Sequence, residues 1–475
     1  MTRREWLLSS AGALQAAGQF GFVQKCARDP RYFELSDGTP YIPIGLNLCF
    51  ERYATGEAEI LDRMDRRFLA LAANGGNFAR IWTGVAFWNP DAPRGGAIDA
   101  VRAHRLDALI QSARRHGIRL QMCLEFFRTL NEVPPPFAGA NSVGRPEYHV
   151  SRGGQLKDMT EYWNSEAGRR LYLYKLDFLS RQYANEPAIF GWELWNEINA
   201  VTGTGWEAWT RDMLVELKKR FPRHLAMQSL GGFEYPRDVE TYRRFMTMPG
   251  NETAQVHRYI NPGAKLPVCL GPMDVLAADC VSTVQAYASD KPLLVSEIGA
   301  VEANHTAPSV LYERDKNGTL LHDAVFTPFF AGAAGPGQFW HWQDYVEKYD
   351  LWRHYGRFAK AVEGLDPRGE QLRPVMIEHP RLRIYALAGR KTWIAWCRDK
   401  ASSWQTELAR GAVPELLRSV EVELPQARLS RIRTYDPWLD RWTPARTRRG
   451  RVILPGFRRS IVIRADSMTA EMKGK

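Results

Sequence analysis

From about residue 30 to residue 365 the chain repeats one unit, a short apolar stretch, a polar or aromatic cluster, then an amphipathic helical pattern. Such alternation implies parallel strands joined by right-handed helical crossovers. One unit shows the logic. Phe78-Ala79-Arg80-Ile81-Trp82 reads as a strand, Leu106, Leu109, Ile110 and Ala113 share one helical face, and Gly117 sits at a C-cap position. The next strand is Ile118–Leu124. Strands are expected at 41–47, 77–82, 118–125, 189–195, 225–230, 253–259, 293–297 and 336–342. Helices are expected at 59–73, with Ile60, Met64 and Phe68 in register, and at 166–183, 206–221, 272–287, 320–332 and 350–364. The 206–221 helix carries Trp206, Trp209, Met213 and Leu217 on one face. Eight such units predict an α/β fold, a (β/α)8 TIM barrel over 29–365. A doubly wound open sheet has less support, because no GxGxxG turn and no P-loop occur.

Beyond residue 366 the period drops to two. Arg381–Leu387 and Lys391–Trp396 alternate across Gly389, and Arg431–Tyr435, Arg451–Leu454 and Ser460–Ile463 continue as strands. One segment, 405–418, carries a helical period. This predicts a C-terminal antiparallel β-sandwich domain over 370–466, followed by a tail at 467–475. No aromatic platform stands out in it, so buttressing of the barrel is favoured over polysaccharide binding.

Charge is distributed unevenly. Residues 366–475 hold 23 Lys/Arg against 12 Asp/Glu, whereas the first 365 hold 41 of each. The excess is mostly Arg, densest at Arg446, Arg448, Arg449 and Arg451, without the interleaved aromatics of a nucleic-acid surface, so it reads as a solvated face and no nucleic-acid partner is expected. No apolar run approaches the ~18 residues of a membrane span. The six cysteines show no CxxC spacing, which removes support for a zinc ribbon or a thioredoxin-like motif. Residues 1–28 form an N-terminal extension. Within it Thr2-Arg3-Arg4-Glu5-Trp6-Leu7-Leu8 and the mildly apolar 9–17 resemble a twin-arginine export signal, interrupted at Gln15. A periplasmic or secreted location follows if the segment acts so, and a cytoplasmic one otherwise.

In such barrels functional groups gather at the C-terminal ends of the strands. Strand four runs Ile189-Phe190-Gly191-Trp192-Glu193-Leu194-Trp195-Asn196-Glu197, and strand seven runs Leu293-Leu294-Val295-Ser296-Glu297-Ile298-Gly299. An acid that follows an apolar strand emerges at the mouth, because the interior cannot solvate it. Glutamates on strands four and seven face each other across that mouth. Retaining glycoside hydrolysis uses this arrangement, with carboxyl groups about 5–5.5 Å apart, one acting as acid and then base and the other as nucleophile. Their environments must keep one of them protonated near neutrality.

Trp195-Asn196-Glu197 and Val295-Ser296-Glu297-Ile298-Gly299 resemble the acid/base and nucleophile motifs of glycoside hydrolase clan A, most closely family 5, the cellulase- and mannanase-like enzymes. Asn77-Phe78-Ala79-Arg80 resembles that family's strand-two arginine, His257 and Tyr259 its His-x-Tyr pair, and Phe339-Trp340-His341-Trp342 its aromatic strand eight. The resemblance implies Glu197 as acid/base and Glu297 as nucleophile. It also implies that Asn196 bonds the sugar 2-hydroxyl, that Arg80 and Tyr259 hold Glu297 ionised, and that His257 tunes Glu197 or touches substrate. Trp342, or failing that Trp340, would carry the sugar ring. Asn47 and Glu125, ending strands one and three, are expected sugar contacts. Trp82 is expected with Phe50, Phe87, Trp88, Phe126, Phe127, Trp163 and Trp206 in an aromatic mouth, since flat sugar faces stack on rings. The inserted segment 128–160 is long enough to wall one side of a cleft.

The expected activity is retaining hydrolysis of β-linked gluco- or manno-configured oligo- or polysaccharides. Alternatives are a transglycosylase with the same site and an inactive carbohydrate-binding barrel. No metal and no cofactor is expected. Strand one gives Gly45-Leu46-Asn47-Leu48-Cys49 where a metal-dependent barrel hydrolase carries His-x-His, and no GxSxG elbow occurs.

Overall fold

The computed structural model describes residues 21–132, 144–424 and 429–467. The export-like segment, Pro134-Pro135-Pro136 of the long insertion and residues 468–475 lie outside the described residues.

A small antiparallel sheet opens the fold in the order β1 (Val23–Lys25), β2 (Phe33–Leu35), β3 (Pro40–Tyr41). Residues 23–25 are thus paired within the folded body, not part of an extension ending at 28. The expected strand 41–47 is divided. Tyr41 pairs with Phe33, whereas β4 (Gly45–Asn47) joins a parallel sheet, and Pro43 between them has no N–H to continue a ladder.

That parallel sheet runs β4, β5 (Phe78–Trp82), β6 (Arg119–Cys123), β7 (Ile189–Glu193), β8 (Leu225–Met227), and a parallel pair follows in β9 (Ala254–Ile260) and β10 (Leu293–Ala300). All residues of these seven strands are buried, which is why their sequences are not a simple apolar–polar alternation. The eighth expected strand, 336–342, is irregular, and Pro336 at its start lacks a donor. Gln338 N donates to Val295 O at 2.9 Å and Trp340 N to Ile298 O at 3.0 Å, while Phe339 O accepts from Asn47 N at 3.2 Å. The segment is therefore bonded to β10 on one side and to β4 on the other.

Helices α1 (Glu57–Ala73), α2 (Ala100–Arg115), α3 (Glu166–Tyr183), α4 (Trp206–Arg220), α5 (Asp238–Met246), α6 (Met273–Gln285), α7 (Thr319–Phe330) and α8 (Arg353–Val362) lie between and after the strands. The faces read from sequence are the buried ones, Ile60, Met64 and Phe68 on α1 and Leu106, Leu109, Ile110 and Ala113 on α2. The Asp99 carboxylate accepts from Val101 N and Arg102 N to start α2, and Gly117 at φ +71° follows its end. Helix α5 was not expected from sequence, since its nine residues are too few to establish a period. All of α7 is buried, with no polar face.

The cause is the C-terminal region. A six-stranded antiparallel sheet has the order β11 (Arg373–Ile377), β12 (Leu382–Ala388), β13 (Thr392–Asp399), β19 (Ser460–Ser467), β15 (Leu429–Asp436), β16 (Arg441–Pro444). A three-stranded one has β14 (Glu421–Glu423), β18 (Arg451–Ile453), β17 (Arg446–Arg448). Ile384, Cys397 and Ile461 of the first share one apolar core with Val422 and Val452 of the second. The other face of the larger sheet covers α7 and α6. Trp396 lies 5.8 Å from Phe326, and the Arg398 guanidinium bonds Asp323 at 2.8 and 3.1 Å. The helix expected at 405–418 is a single turn, Gln405–Ala409, ended by Gly411 at φ +70° and Pro414. Of the basic knot, Arg448 and Arg451 share Glu421 on the exposed small sheet.

Candidate active site

The chain leaves β7 through Leu194–Asn196 and turns at Glu197, whose φ of +51° is a left-handed conformation unusual for a residue with a Cβ. Three bonds hold the turn. Arg128 Nη1 donates to the carbonyls of Asn196 at 2.5 Å and Glu197 at 2.9 Å, and Glu197 N donates to Ser229 Oγ at 3.1 Å. The carboxylate thus aimed has His257 Nδ1 at 2.9 Å from Oε1 and accepts from Arg128 Nη2 at 2.7 Å on Oε2.

Glu297 projects from β10 just after a register shift between Val295 and Glu297 that pairs it with His257 of β9. Its Oε1 accepts from Arg80 Nη1 at 2.7 Å and its Oε2 from the Tyr259 hydroxyl at 2.6 Å. His257 Nδ1 is 3.4 Å from the same Oε2. Oxygens of the two carboxylates and a His257 nitrogen all lie within 4.8 Å of one another. The two glutamates predicted to converge do so.

Arg80 organises this pair from beneath. Fully buried, it donates to Glu193 through Nε and Nη2 at 2.8 Å each, to Asn196 Oδ1 at 2.8 Å and to Asn47 Oδ1 at 3.2 Å, besides Glu297. Glu193 accepts further from Gln121 at 2.8 Å and from Ser229. Burial pushes the Glu193 carboxyl up, but the Arg80 charge outweighs it and holds it below the usual carboxylate range. Burial likewise opposes ionisation of Glu197, and the His257 hydrogen bond together with Arg128 overcomes it, leaving that carboxyl well below the usual range. Burial, then the neighbouring Glu297 charge, pushes the Tyr259 phenol far up, so it remains a donor. By distance alone Glu197, His257 and Glu297 could hold a metal ion. Their four carboxylate oxygens are already taken, however, and two guanidiniums stand where a cation would be repelled.

Both glutamates line a cavity of about 370 Å³ together with Asn196, Tyr259, Trp82 and Trp340. Asn196 gives its oxygen to Arg80, leaving its amide nitrogen for the cavity. Trp342 is not on this lining. It lies behind, with ring centroids 4.9 Å from Phe50 and 5.3 Å from Trp340, so the exposed aromatic face is that of Trp340. Two expected sugar contacts are corrected. Asn47 is fully buried and ties Ser296 O and Gln338 O together at 3.0 and 2.9 Å, and Glu125 turns away into an ion pair with Lys175 of α3. Most of the supposed aromatic mouth is core. Phe50, Trp88, Phe126, Phe127 and Trp163 are buried, and only Trp82, stacked on Phe126, also reaches the cavity.

Several residues of the site carried no sequence signal. Arg128 begins the long insertion. On the far wall Glu234 accepts from Asn261 at 2.7 Å and lies 2.9 Å from His305 Nε2. Burial works against charging His305, but Glu234 prevails and raises it above its ordinary value. Glu193 did leave a trace, since an acid inside an apolar strand requires a buried cation.

No family model matches the chain. A glycoside hydrolase family 5 structure from Bacteroides vulgatus ATCC 8482 superposes with a TM-score of 0.60 over 94% of each chain at 13% identity. The fold is that of glycoside hydrolase family 5. The endo-1,4-beta-mannanase of Rhizomucor miehei matches 71% of this chain and 99% of its own at a TM-score of 0.50 and 17% identity. In sequence, the mannan endo-1,4-beta-mannosidase 4 of Oryza sativa subsp. japonica is 27% identical over 222 residues, 44% of this chain and 46% of the relative. The mannan endo-1,4-beta-mannosidase 7 of Arabidopsis thaliana is 21% identical over 341 residues, 64% and 74% of the two chains. The chain thus spans less than half the length of the rice relative in that match. A family 5 fold implies a (β/α)8 barrel, consistent with the seven parallel strands and the doubly bonded 336–342 segment.

Proposed function

We propose that the chain is a retaining glycoside hydrolase, a closed (β/α)8 barrel with a C-terminal β-sandwich, cleaving β-linked manno- or gluco-configured glycosides. The observation that carries this is the approach of the Glu197 and Glu297 carboxyl oxygens to within 4.8 Å. That separation suits direct attack by one carboxylate, since an inverting pair stands about 6.5–9.5 Å apart to admit a water.

In the first step a Glu297 oxygen attacks the anomeric carbon while the bond to the leaving oxygen breaks, and Glu197 gives that oxygen its proton. Arg80 and Tyr259 donate to Glu297 at 2.7 and 2.6 Å and keep it aimed. In the second step Glu197 takes a proton from water, whose oxygen attacks the anomeric carbon and releases Glu297. The Asn196 amide nitrogen donates to the 2-hydroxyl, a bond that strengthens as the ring gains oxocarbenium character. Trp340 offers the apolar face for the sugar. The mannan endo-1,4-beta-mannosidases among the relatives favour a mannosyl over a glucosyl unit on the Glu297 side of the bond.

The test is a panel of aryl β-mannosides and β-glucosides with Glu297→Ala and Glu197→Ala. Turnover by the parent is expected, with azide rescuing Glu297→Ala to an inverted glycosyl azide and Glu197→Ala to a retained one. Parent activity that survives both substitutions would overturn the assignment. Oligosaccharide binding without turnover would mark an inactive binding barrel instead.

A further inference from the structure

We infer that the group on the leaving side of the scissile bond carries a carboxylate, as in a uronic acid, and that Arg128 receives it. This names the substrate class of the proposed hydrolase and rests on that proposal.

A general acid has to hold a proton when the leaving oxygen departs. Here the Arg128 Nη2 sits 2.7 Å from Glu197 Oε2 and favours the anion. The arginine is anchored at its backbone and at its other arm. Its carbonyl accepts from Thr202 N at 2.9 Å and Thr202 Oγ1 at 3.0 Å, and its Nη1 is spent on the carbonyls of residues 196 and 197. Nη2 therefore exchanges between Glu197 and whatever anion enters the cavity that Arg128 lines. A second guanidinium, Arg237, lines the same cavity. It is exposed, lies over the Tyr235 ring at 4.6 Å, and has no acidic partner among the described residues. His305, by contrast, is matched by Glu234 and contributes no spare charge.

Sugar hydroxyls do not displace a carboxylate from a guanidinium, because a bond with one charged partner is weaker than a pair in which both are charged. A substrate carboxylate does compete, and Arg237 adds to its attraction. Of the charged and titratable groups around Glu197, namely His257, Arg128, His305, Glu297 and the phenols of Tyr242 and Tyr259, only Arg128 is then withdrawn. Glu197 keeps its His257 bond but loses the Arg128 charge and gains the substrate's negative charge beside that of Glu297, and both changes favour its protonated form. Binding of the correct leaving group thereby arms the acid.

The experiment compares 4-linked β-mannosyl and β-glucosyl disaccharides whose reducing sugar is either glucuronic acid or glucose. For the parent, kcat/KM is expected to be at least about tenfold higher on the uronate, the scale of one lost charged contact. Arg128→Gln should bring the ratio close to one and, on the neutral disaccharide, move the basic limb of the pH profile upward. Arg237→Gln, on the rim, should lower the same ratio and serves where Arg128→Gln does not fold. Equal rates on both sugars, or a ratio that neither substitution changes, overturn the inference and leave the hydrolase standing. Cleavage of neither disaccharide overturns the inference, and inert aryl glycosides besides would take the hydrolase with it.

Discussion

Arg80 shows how much chemistry one buried side chain can fix. Its fork joins Glu193, Glu297, Asn196 and Asn47, so removing it strands Glu193 in the interior and takes the cation from Glu297 at the cavity wall. Arg80→Ala should cost about 3–5 kcal/mol of stability by denaturant titration, and Arg80→Lys should recover little of it, since an ammonium cannot serve the same fork. Glu193 gives the pH dependence. Its folded carboxyl titrates below the ordinary value of 4.5, so its contribution is complete above that pH and is lost as pH falls through the depressed value. Glu193→Gln should therefore flatten the acid limb of the stability curve, and an unchanged limb would contradict the coupling. The convergence of Glu197 and Glu297 was legible because an acid just after an apolar strand has one place to go. Asn47 and Glu125 obey the same rule yet face other partners, for Lys175 and the carbonyls of Ser296 and Gln338 come from distant parts of the chain. Arg128 was illegible because nothing local distinguishes it from any loop arginine.

At the scale of elements, spacing between strands decides where the acids sit. A Cβ on Gly45 would lie 1.7 Å from Phe78 O, so only glycine lets β4 approach β5 at this register. Gly45→Ala should destabilise by about 3 kcal/mol or more in thermal unfolding and lower activity with it, because β5 carries Arg80. A melting temperature within a degree or two of the parent would count against this packing. Helices with a long amphipathic face, such as α1 and α3, were plain in the sequence. The 336–342 segment was placed but not its irregularity, since pairing to β10 and β4 depends on residues far away. The segment 405–418 carries a helical period, but Gly411 and Pro414 cut the helix after one turn.

For the whole molecule, α7 joins two bodies that the sequence separates cleanly at the change of period near residue 366. Wholly buried, it has the six-stranded sheet on one side, with Asp323 held by Arg398 and Phe326 against Trp396. A chain ending at residue 365 should expose that face and run as aggregate in size-exclusion chromatography, whereas a monomeric, active barrel would show the sheets to be dispensable. Arg398→Met is the finer test, expected to cost about 3 kcal/mol by leaving Asp323, whose carboxyl burial already pushes up, without its buried partner. The most direct measurement of the central claim is intact-mass analysis after incubation with 2-deoxy-2-fluoro β-mannosyl and β-glucosyl fluorides. One glycosyl unit should add to the protein and map by peptide digestion to Glu297; absence of labelling, or a label on any other residue, would contradict it.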